Sequence, residues 1–283
     1  MNTPTVPFPE KRRLQAHFAF TGMPFRKNVP AHKMFDSRAQ RELVQALLLW
    51  MELRGLALVT GPTGVGKSIS LRKFVAQLDE QRVRVLRFNQ VPTTPNGLLR
   101  SLSRLLGLPM RRHVADLFDQ VRDHLRTASS NGPHLLLLLD DAEGMRADAL
   151  DVVRRLTTAD LDAEDRFSVL LAGTDDLLQA LGQPELASLR SRFSYAAQLR
   201  PFSIEDTTNY VRFHLEEAGA KAALVSEDAI RAVFQASQGV PRAINQLVLQ
   251  ALIQATVAGR DDIDGRFMNA QISAHPLYTR GEP

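Results

Sequence analysis

The sequence contains no cysteine, which excludes disulfide bonds, thiolate chemistry and zinc sites built from Cys ligands. It also lacks a secretory signal, because the basic residues within Met1 to Arg13 are not followed by an apolar run. The richest apolar segment, Leu43 to Val59, is interrupted by Gln45, Glu52 and Arg54, so a membrane span here would be costly. These absences predict a cytoplasmic protein without a membrane partner.

Composition places the chain among ordinary soluble proteins. Its 283 residues are 44% hydrophobic and 23% charged, enough for one larger domain and a smaller one. Lys and Arg number 35 against 31 Asp and Glu, and the isoelectric point is about 9.7. This modest basic excess permits a polyanionic partner without requiring one.

Residues Gly61 to Ser68 fit the phosphate-binding loop pattern G-x-x-x-x-G-K-[ST]. The apolar run Leu56 to Val59 before them is typical of a buried strand, and Ile69 to Leu78 after them has apolar residues at helical spacing. Glycines let backbone N–H groups approach phosphate oxygens closely. Lys67 is expected against the β- and γ-phosphates, and Ser68 is expected to bind Mg²⁺. The predicted ATP site consists of Gly61, Pro62, Thr63, Gly64, Val65, Gly66, Lys67, Ser68 and Ile69.

Further strand-like runs alternate with helical segments over the first two thirds of the chain. We predict strands at Val83 to Phe88, Leu135 to Leu139, Phe167 to Ala172 and Ala196 to Leu199. This alternation indicates an α/β fold: a parallel sheet with helices on both faces. After Pro201 the pattern is wholly helical.

The resulting domain prediction has four parts. Residues 1–35 form an extended N-terminal arm that packs across the first domain, and residues 36–200 form the nucleotide-binding α/β domain. A small all-α lid domain follows over 201–275, and 276–283 form a tail.

The third predicted strand ends in Asp140 and Asp141. A carboxylate at the carboxyl edge of the sheet suits Mg²⁺, so Asp140 is the predicted metal ligand together with Ser68. Asp141 would then polarise the attacking water. The alternative for both residues is capping of a following helix.

Four later segments follow in the order and spacing of a known family. They resemble the Walker B, sensor 1, arginine-finger and sensor 2 segments of AAA+ ATPases, which implies the P-loop AAA+ fold. The branch they resemble most is the ExeA-like one, which includes transposition regulators of the TnsC and TniB kind. The segments are Leu135 to Glu143, Val169 to Thr174, Leu189 to Phe193 and Gly239 to Asn245.

The resemblance implies roles for three more residues. Thr174 would hydrogen-bond the attacking water or the γ-phosphate, or else cap the helix that follows. Arg192 would reach the nucleotide of a neighbouring subunit, with Arg190 as the competing candidate. Arg242 would contact the phosphates within its own subunit.

The chain departs from the family pattern at Asp141, where AAA+ proteins usually have Glu. Shortening the side chain withdraws the carboxylate by about 1 Å, and misplacement of that size can cost ~100-fold in rate. We therefore expect slow ATP hydrolysis. Glu143 is the weaker substitute, because it lies two residues further on.

Basic and hydroxyl residues cluster between the second and third predicted strands. In the transposition regulators this region faces a central channel, and such groups can follow phosphates without reading bases. The alternative is a solvated helix face. The predicted duplex DNA contacts are Thr93, Thr94, Arg100, Arg104, Arg111 and Arg112, with His113 beside them.

The sequence thus predicts an ATPase that assembles as a ring or helical filament on duplex DNA and recruits a transposase, with a target-selection protein as a further partner. The alternatives are an ExeA/GspA-like secretion-assembly ATPase and a nucleotide switch with little turnover. Secretion members of the branch carry a membrane helix and a cell-wall-binding module after the ATPase. The sequence shows neither, so the transposition reading is expected.

Overall fold

The computed structural model describes residues 9–26, 29–30, 33–88, 90–128, 132–158, 166–220 and 224–278. The chain divides into two compact units. One unit is continuous and runs from Arg38 to Arg200. The other combines the residues before Arg38 with those from Pro201 onward.

The continuous unit contains one sheet of parallel strands in the order β2-β3-β4-β1-β5. Helices connect the strands, and short 3-10 turns occur at Ala142–Gly144 and Pro184–Leu186. The strands are β1 Leu56–Thr60, β2 Val83–Arg87, β3 His134–Leu139, β4 Phe167–Gly173 and β5 Phe193–Gln198. The helices are α2 Arg38–Leu53, α3 Lys67–Val75, α4 Pro95–Leu105, α5 Val114–Ala128, α6 Ala147–Thr157, α7 Asp175–Leu181 and α8 Ala187–Arg190.

Alternate side chains of the central strands enter two separate hydrophobic cores. On β3, Leu137 packs with the core under α4, α5 and α6, whereas Leu136 and Leu138 pack with the core under α2 and α3. Every residue of β1, β3 and β4 is buried, as expected for parallel strands covered on both faces. The predicted α/β fold with helices on both faces is confirmed.

Strand β5 begins earlier than the predicted strand Ala196 to Leu199, because it starts at Phe193. It lies at the edge of the sheet and alternates half-buried and exposed residues. The start of this strand is not a continuous apolar run, because Ser194 is exposed and Tyr195 is half-buried. The Ser194 hydroxyl accepts from Trp50 Nε1 at 3.2 Å, which fixes α2 to the edge strand.

The second unit is helical and contains α1 Pro9–His17, α9 Ile204–Glu217, α10 Glu227–Ser237, α11 Pro241–Ala258 and α12 Gly265–Ala274. Ser203 and Asp206 form a capping box at the start of α9, and Ser226 caps α10. Among the helices of the described ranges, none is both long and apolar enough to cross a membrane.

The N-terminal segment differs from the extended arm that we expected across the α/β domain. Residues Pro9–His17 are helical, and Leu14, Phe18 and Phe20 are buried in the core of the helical unit. Leu14 and Phe18 are four residues apart, so α1 and the turn after it present them on one side. This apolar burial assigns the segment to the helical unit.

Candidate nucleotide site

The loop between β1 and α3 adopts a conformation that requires glycine. Gly61, Gly64 and Gly66 have φ angles of 149°, 81° and 112°. A Cβ atom at Gly61 would lie 2.4 Å from the carbonyl oxygen of Leu199, and one at Gly66 would lie 2.8 Å from Nε2 of Gln40. The loop therefore holds a close-packed shape that only glycine permits at these two positions.

Lys67 is the first residue of α3 and is only 6% exposed. Its Nζ donates to the carbonyl oxygens of Gly61 at 2.8 Å and Pro62 at 3.2 Å. Both acceptors are neutral carbonyl groups, and the ammonium group also interacts electrostatically with the carboxylate of Asp140. The amine, together with the positive end of the α3 dipole, therefore favours an anion within the loop.

Ser68 and Asp140 meet at the carboxyl edge of the sheet through a side-chain hydrogen bond. Burial raises the pKa of Asp140, and the hydrogen bond from Ser68 acts against this shift. A hydroxyl and a carboxylate are ligands that suit Mg²⁺, and they lie where α3 begins. These residues fit a magnesium–nucleotide site.

The other predicted loop residues line the turn itself. The N–H of Val65 donates to the carbonyl oxygen of Pro62 at 3.3 Å, and the Val65 side chain is fully buried. Thr63 and Ile69 are exposed. The loop is thus anchored in the core at Val65 and open to solvent at Thr63.

Asp141 follows Asp140 in a left-handed conformation with φ 61°, and it is exposed. Its N–H donates to Oδ1 of Asp140 at 3.1 Å. Left-handed backbone at a non-glycine residue is uncommon, although Asp tolerates it better than most residues. Asp141 therefore projects from a sharp turn directly beside the predicted metal ligand.

Thr174 lies at the end of β4 and at the start of α7, but its side chain makes no capping hydrogen bond to the helix backbone. Its hydroxyl instead donates to Oδ2 of Asp176 at 3.4 Å. The carboxylate of Glu143 accepts from the Thr174 N–H at 3.3 Å. Helix capping by the Thr174 side chain is therefore not observed, and its contact with water or the γ-phosphate stays a prediction.

The structure distinguishes the two arginines proposed to act between subunits. Arg190 Nη1 donates to the carbonyl oxygens of Leu181 at 3.1 Å and Gly182 at 3.0 Å, so it stabilises the end of α7. Arg192 lies between α8 and β5 and is half-buried. Contact of Arg192 with a neighbouring subunit stays a prediction.

Arg242 belongs to the helical unit, where it is exposed in the first turn of α11. Gly239, with φ 74°, accepts from the N–H of Phe202 at 2.9 Å, and a Cβ there would lie 2.1 Å from the Phe202 carbonyl oxygen. Pro241 occupies the first helical position. This turn determines where α11 begins and therefore places Arg242 in the first turn of the helix.

The predicted DNA-contacting residues occupy the β2–α4 loop, α4 and the loop before α5. The hydroxyl of Thr94 caps α4 by accepting from Gly97 N at 3.2 Å, and it keeps its own hydrogen for donation. Arg100 donates to Oδ1 of Asn96 at 3.0 Å. The four residues Thr93, Arg104, Arg111 and Arg112 are exposed.

Three relationships were missed from the sequence. The Arg146 N–H donates to the Thr93 carbonyl oxygen at 3.0 Å, which joins the loop after β2 to the turn after β3. The Glu143 carboxylate accepts a hydrogen bond from the N–H of Thr174 at the end of β4, and the Gln40 side chain lies beside Gly66 of the phosphate-binding loop. No local sequence pattern signals these contacts between distant segments.

The chain resembles known proteins in sequence and in fold. A family model described as "AAA domain" matches residues 51–181. The General secretion pathway protein A of Aeromonas hydrophila is 32% identical over 211 residues, which cover 74% of this chain and 38% of that protein. A Replication factor C small subunit 2 of Pyrobaculum aerophilum is 30% identical over 149 residues, which cover 52% of this chain and 42% of that protein, so the chain spans about two fifths of the length of each of these two relatives.

Solved structures support the same fold. The Aeropyrum pernix ORC2 protein in ADPNP-ADP complexes has a TM-score of 0.63 at 14% identity, covering 92% of this chain and 71% of that chain. The ORC1 protein of the same organism in complex with DNA has a TM-score of 0.61 at 14% identity, covering 94% and 69%. Residues 51–181 therefore form an AAA-type P-loop domain with the AAA+ fold, similar in sequence to General secretion pathway protein A.

Proposed function

We propose that the protein is a slow ATPase whose bound nucleotide controls its assembly. The observation that carries this proposal is the hydrogen bond between Ser68 and Asp140 beside the buried amine of Lys67. Lys67 would bind the β- and γ-phosphates, and Ser68 and Asp140 would hold Mg²⁺. The bound metal would neutralise charge that develops on the transferred phosphoryl group.

Each of the remaining predicted site residues would have its own role in hydrolysis or assembly. Asp141 would orient the attacking water, and Thr174 would contact that water or the γ-phosphate. Arg192 would enter the nucleotide site of a neighbouring subunit, so that each complete site needs two chains. Arg242 would contact the phosphates from within its own subunit and link nucleotide to the helical unit.

We further propose that the assembled form binds duplex DNA through the β2–α4 loop, α4 and the loop before α5. The exposed arginines there would neutralise phosphates, which gives affinity without base recognition. The likeness to an ORC1 protein solved in complex with DNA supports a DNA partner at the level of the fold. A regulator of transposition that recruits a transposase is the specific role we propose.

A secretion-assembly ATPase is the second candidate function. It is favoured by the 32% identity to General secretion pathway protein A, which extends over 74% of this chain. This candidate shares the ATP site and the nucleotide-dependent assembly. It differs in predicting that DNA has no effect on either.

Particle size in the presence of ATP and duplex DNA tests the proposal. Light scattering and electron microscopy should show rings or filaments with both ligands, and DNA affinity should fall with salt by about 0.9 log units per log unit of salt for each neutralised phosphate. A protein that stays monomeric and unretained on DNA would contradict the DNA-dependent role. Assembly with ATP alone, unaffected by DNA, would favour the secretion candidate.

Variants with matched controls test the proposed DNA surface and the proposed ATP site separately. Arg104→Gln with Arg112→Gln should weaken DNA binding, whereas Arg84→Gln with Arg266→Gln removes the same charge from exposed positions outside the proposed surface. Lys67→Ala and Asp140→Ala should abolish phosphate release. Equal phosphate release from wild type and both variants would show that the assigned site is wrong.

A further inference from the structure

Glu143 connects two strands that carry different parts of the proposed ATP site. It lies on the 3-10 turn Ala142–Gly144, directly after Asp140 and Asp141 at the end of β3. Its Oε2 accepts from the Thr174 N–H at 3.3 Å, where Thr174 follows β4. Because β4 lies between β3 and β1 in the sheet, the carboxylate reaches towards the strand that leads into the phosphate-binding loop.

The close approach of Glu143 depends on the residue before Thr174. A Cβ atom at Gly173 would lie 2.8 Å from Glu143 Oε2 and 2.8 Å from Cδ2 of Leu177. Any larger residue at 173 would therefore displace the carboxylate, the leucine or both. The glycine and the glutamate form a matched pair at the end of β4.

Asp141 and Glu143 have different environments although both follow the same strand. Asp141 is exposed, whereas Glu143 is half-buried and holds a backbone N–H of the neighbouring strand end. Asp141 can thus face solvent and water while Glu143 fixes the backbone.

We propose that Glu143 is a positioning residue for ATP hydrolysis, which rests on the ATPase function proposed above. Its carboxylate holds the backbone of Thr174 against the turn that carries Asp140 and Asp141. The Thr174 hydroxyl, which would contact the attacking water or the γ-phosphate, is thereby fixed relative to the water-orienting carboxylate. Since misplacement of a reacting group by about 1 Å can cost ~100-fold in rate, loss of this contact lowers kcat rather than nucleotide affinity.

Three substitutions separate positioning from proton transfer. Glu143→Ala removes the acceptor, Glu143→Gln keeps an acceptor of the same length without charge, and Gly173→Ala displaces the carboxylate without altering it. Glu80→Gln at an exposed position far along the chain is the control. Phosphate release at varied ATP and pH, binding of a fluorescent ATP analogue and the thermal midpoint are measured for each.

We expect Glu143→Ala and Gly173→Ala to lower kcat at least tenfold with KM and analogue affinity within threefold of wild type. Glu143→Gln should keep kcat within threefold, with the wild-type pH profile. A wild-type kcat in Glu143→Ala would overturn the proposal. A Glu143→Gln variant as slow as Glu143→Ala would also overturn it, because hydrolysis would then depend on the negative charge of Glu143 and not on its hydrogen bond to Thr174. Absence of hydrolysis in the wild-type protein would instead contradict the proposed ATPase function.

Discussion

The backbone N–H of Arg146 donates to the carbonyl oxygen of Thr93 at 3.0 Å. Thr93 belongs to the loop proposed to touch DNA, and Arg146 is the N-cap residue of α6, directly after the turn that begins at Asp141 and contains Glu143. A displacement of either segment is therefore transmitted through one backbone hydrogen bond. In the proposed function, this contact would link the loop expected to touch DNA to the residues expected to act on water.

The Arg146→Pro variant should uncouple DNA from hydrolysis. Arg146 has φ −73° and ψ 156°, which proline adopts without strain, so the substitution removes little besides the N–H donor and the side chain. We expect basal phosphate release within twofold of wild type and at least fivefold weaker stimulation by duplex DNA. Arg146→Ala keeps the N–H but loses the 3.1 Å ion pair to Asp148, and it should respond to DNA as wild type does.

Replacing Asp141 by Glu should accelerate hydrolysis and reduce stability. The longer side chain moves the carboxylate forward by about 1 Å, and we expect kcat to rise roughly tenfold or more. Glu tolerates the left-handed backbone, φ 61°, less well than Asp, so a lower thermal midpoint should accompany the gain. Asp141→Asn is the control, with unchanged stability and slower phosphate release. A Glu variant no faster than wild type would refute the retracted-carboxylate explanation.

Arg192 and Arg190 should respond to substitution in different ways. Arg192→Ala should lower ATP-dependent assembly and cut kcat by about 10³-fold, the lower bound for an arginine finger. Mixing Arg192→Ala with Lys67→Ala should restore part of the activity, since one variant supplies an intact loop and the other an intact arginine. Arg190→Ala should chiefly lower the thermal midpoint, because it loses two hydrogen bonds at the end of α7. Mixtures no more active than either variant alone would argue against a shared site.

Gly66→Ala should abolish nucleotide binding for two combined reasons. The residue has φ 112°, and its new Cβ would lie 2.8 Å from Gln40 Nε2. Gly107→Ala is a matched control, because Gly107 also has a positive φ of 72° but open space around its Cβ position. Titration with a fluorescent ATP analogue should show at least tenfold weaker binding for Gly66→Ala alone. Adding Gln40→Ala relieves the contact, so partial recovery is expected.

Acid should destabilise the protein through His134. Burial, aided by the positive charge of Arg54, lowers the pKa of His134 to about 4. The unfolded chain binds a proton near pH 6.5 and the folded chain only near pH 4, so stability falls as pH drops across this window, by about 3 kcal/mol for this residue at most. In His134→Gln the thermal midpoint should change less between pH 7 and pH 4.5 than in the wild-type protein. In His113→Gln, where the histidine is exposed, the dependence of the thermal midpoint on pH should be that of wild type.

Local patterns predicted the sheet and the loop because both depend on short-range chemistry. The phosphate-binding loop was predicted from the glycines at 61 and 66, the third predicted strand from the apolar run before Asp140, and the helix after the loop from the apolar spacing that follows Lys67. Strand β5 was placed three residues late, because an edge strand alternates and lacks a continuous apolar run. Its neighbours in the sheet, rather than its own sequence, determine where it begins.

Contacts between distant segments could not be predicted in the same way. Glu143 and Thr174 are 31 residues apart, and Thr93 and Arg146 meet through backbone atoms that every residue carries. The strand order brings these groups together: β4 lies beside β3 for Glu143 and Thr174, and β2 lies beside β3 for Thr93 and Arg146. The sequence pattern therefore predicted roles in ATP hydrolysis for Asp141 and Glu143 but no contact of this segment with other loops.

The helical unit is built from both ends of the chain, with Leu14, Phe18 and Phe20 buried against residues that follow Pro201. During synthesis these three side chains are made first and must wait for their partners until the whole of residues 38–200 has left the ribosome. The α/β unit can fold as a continuous segment in the meantime. The apolar side chains of Leu14, Phe18 and Phe20 therefore stay exposed while residues 38–200 are synthesised, and removal of this segment would deprive the helical unit of part of its core.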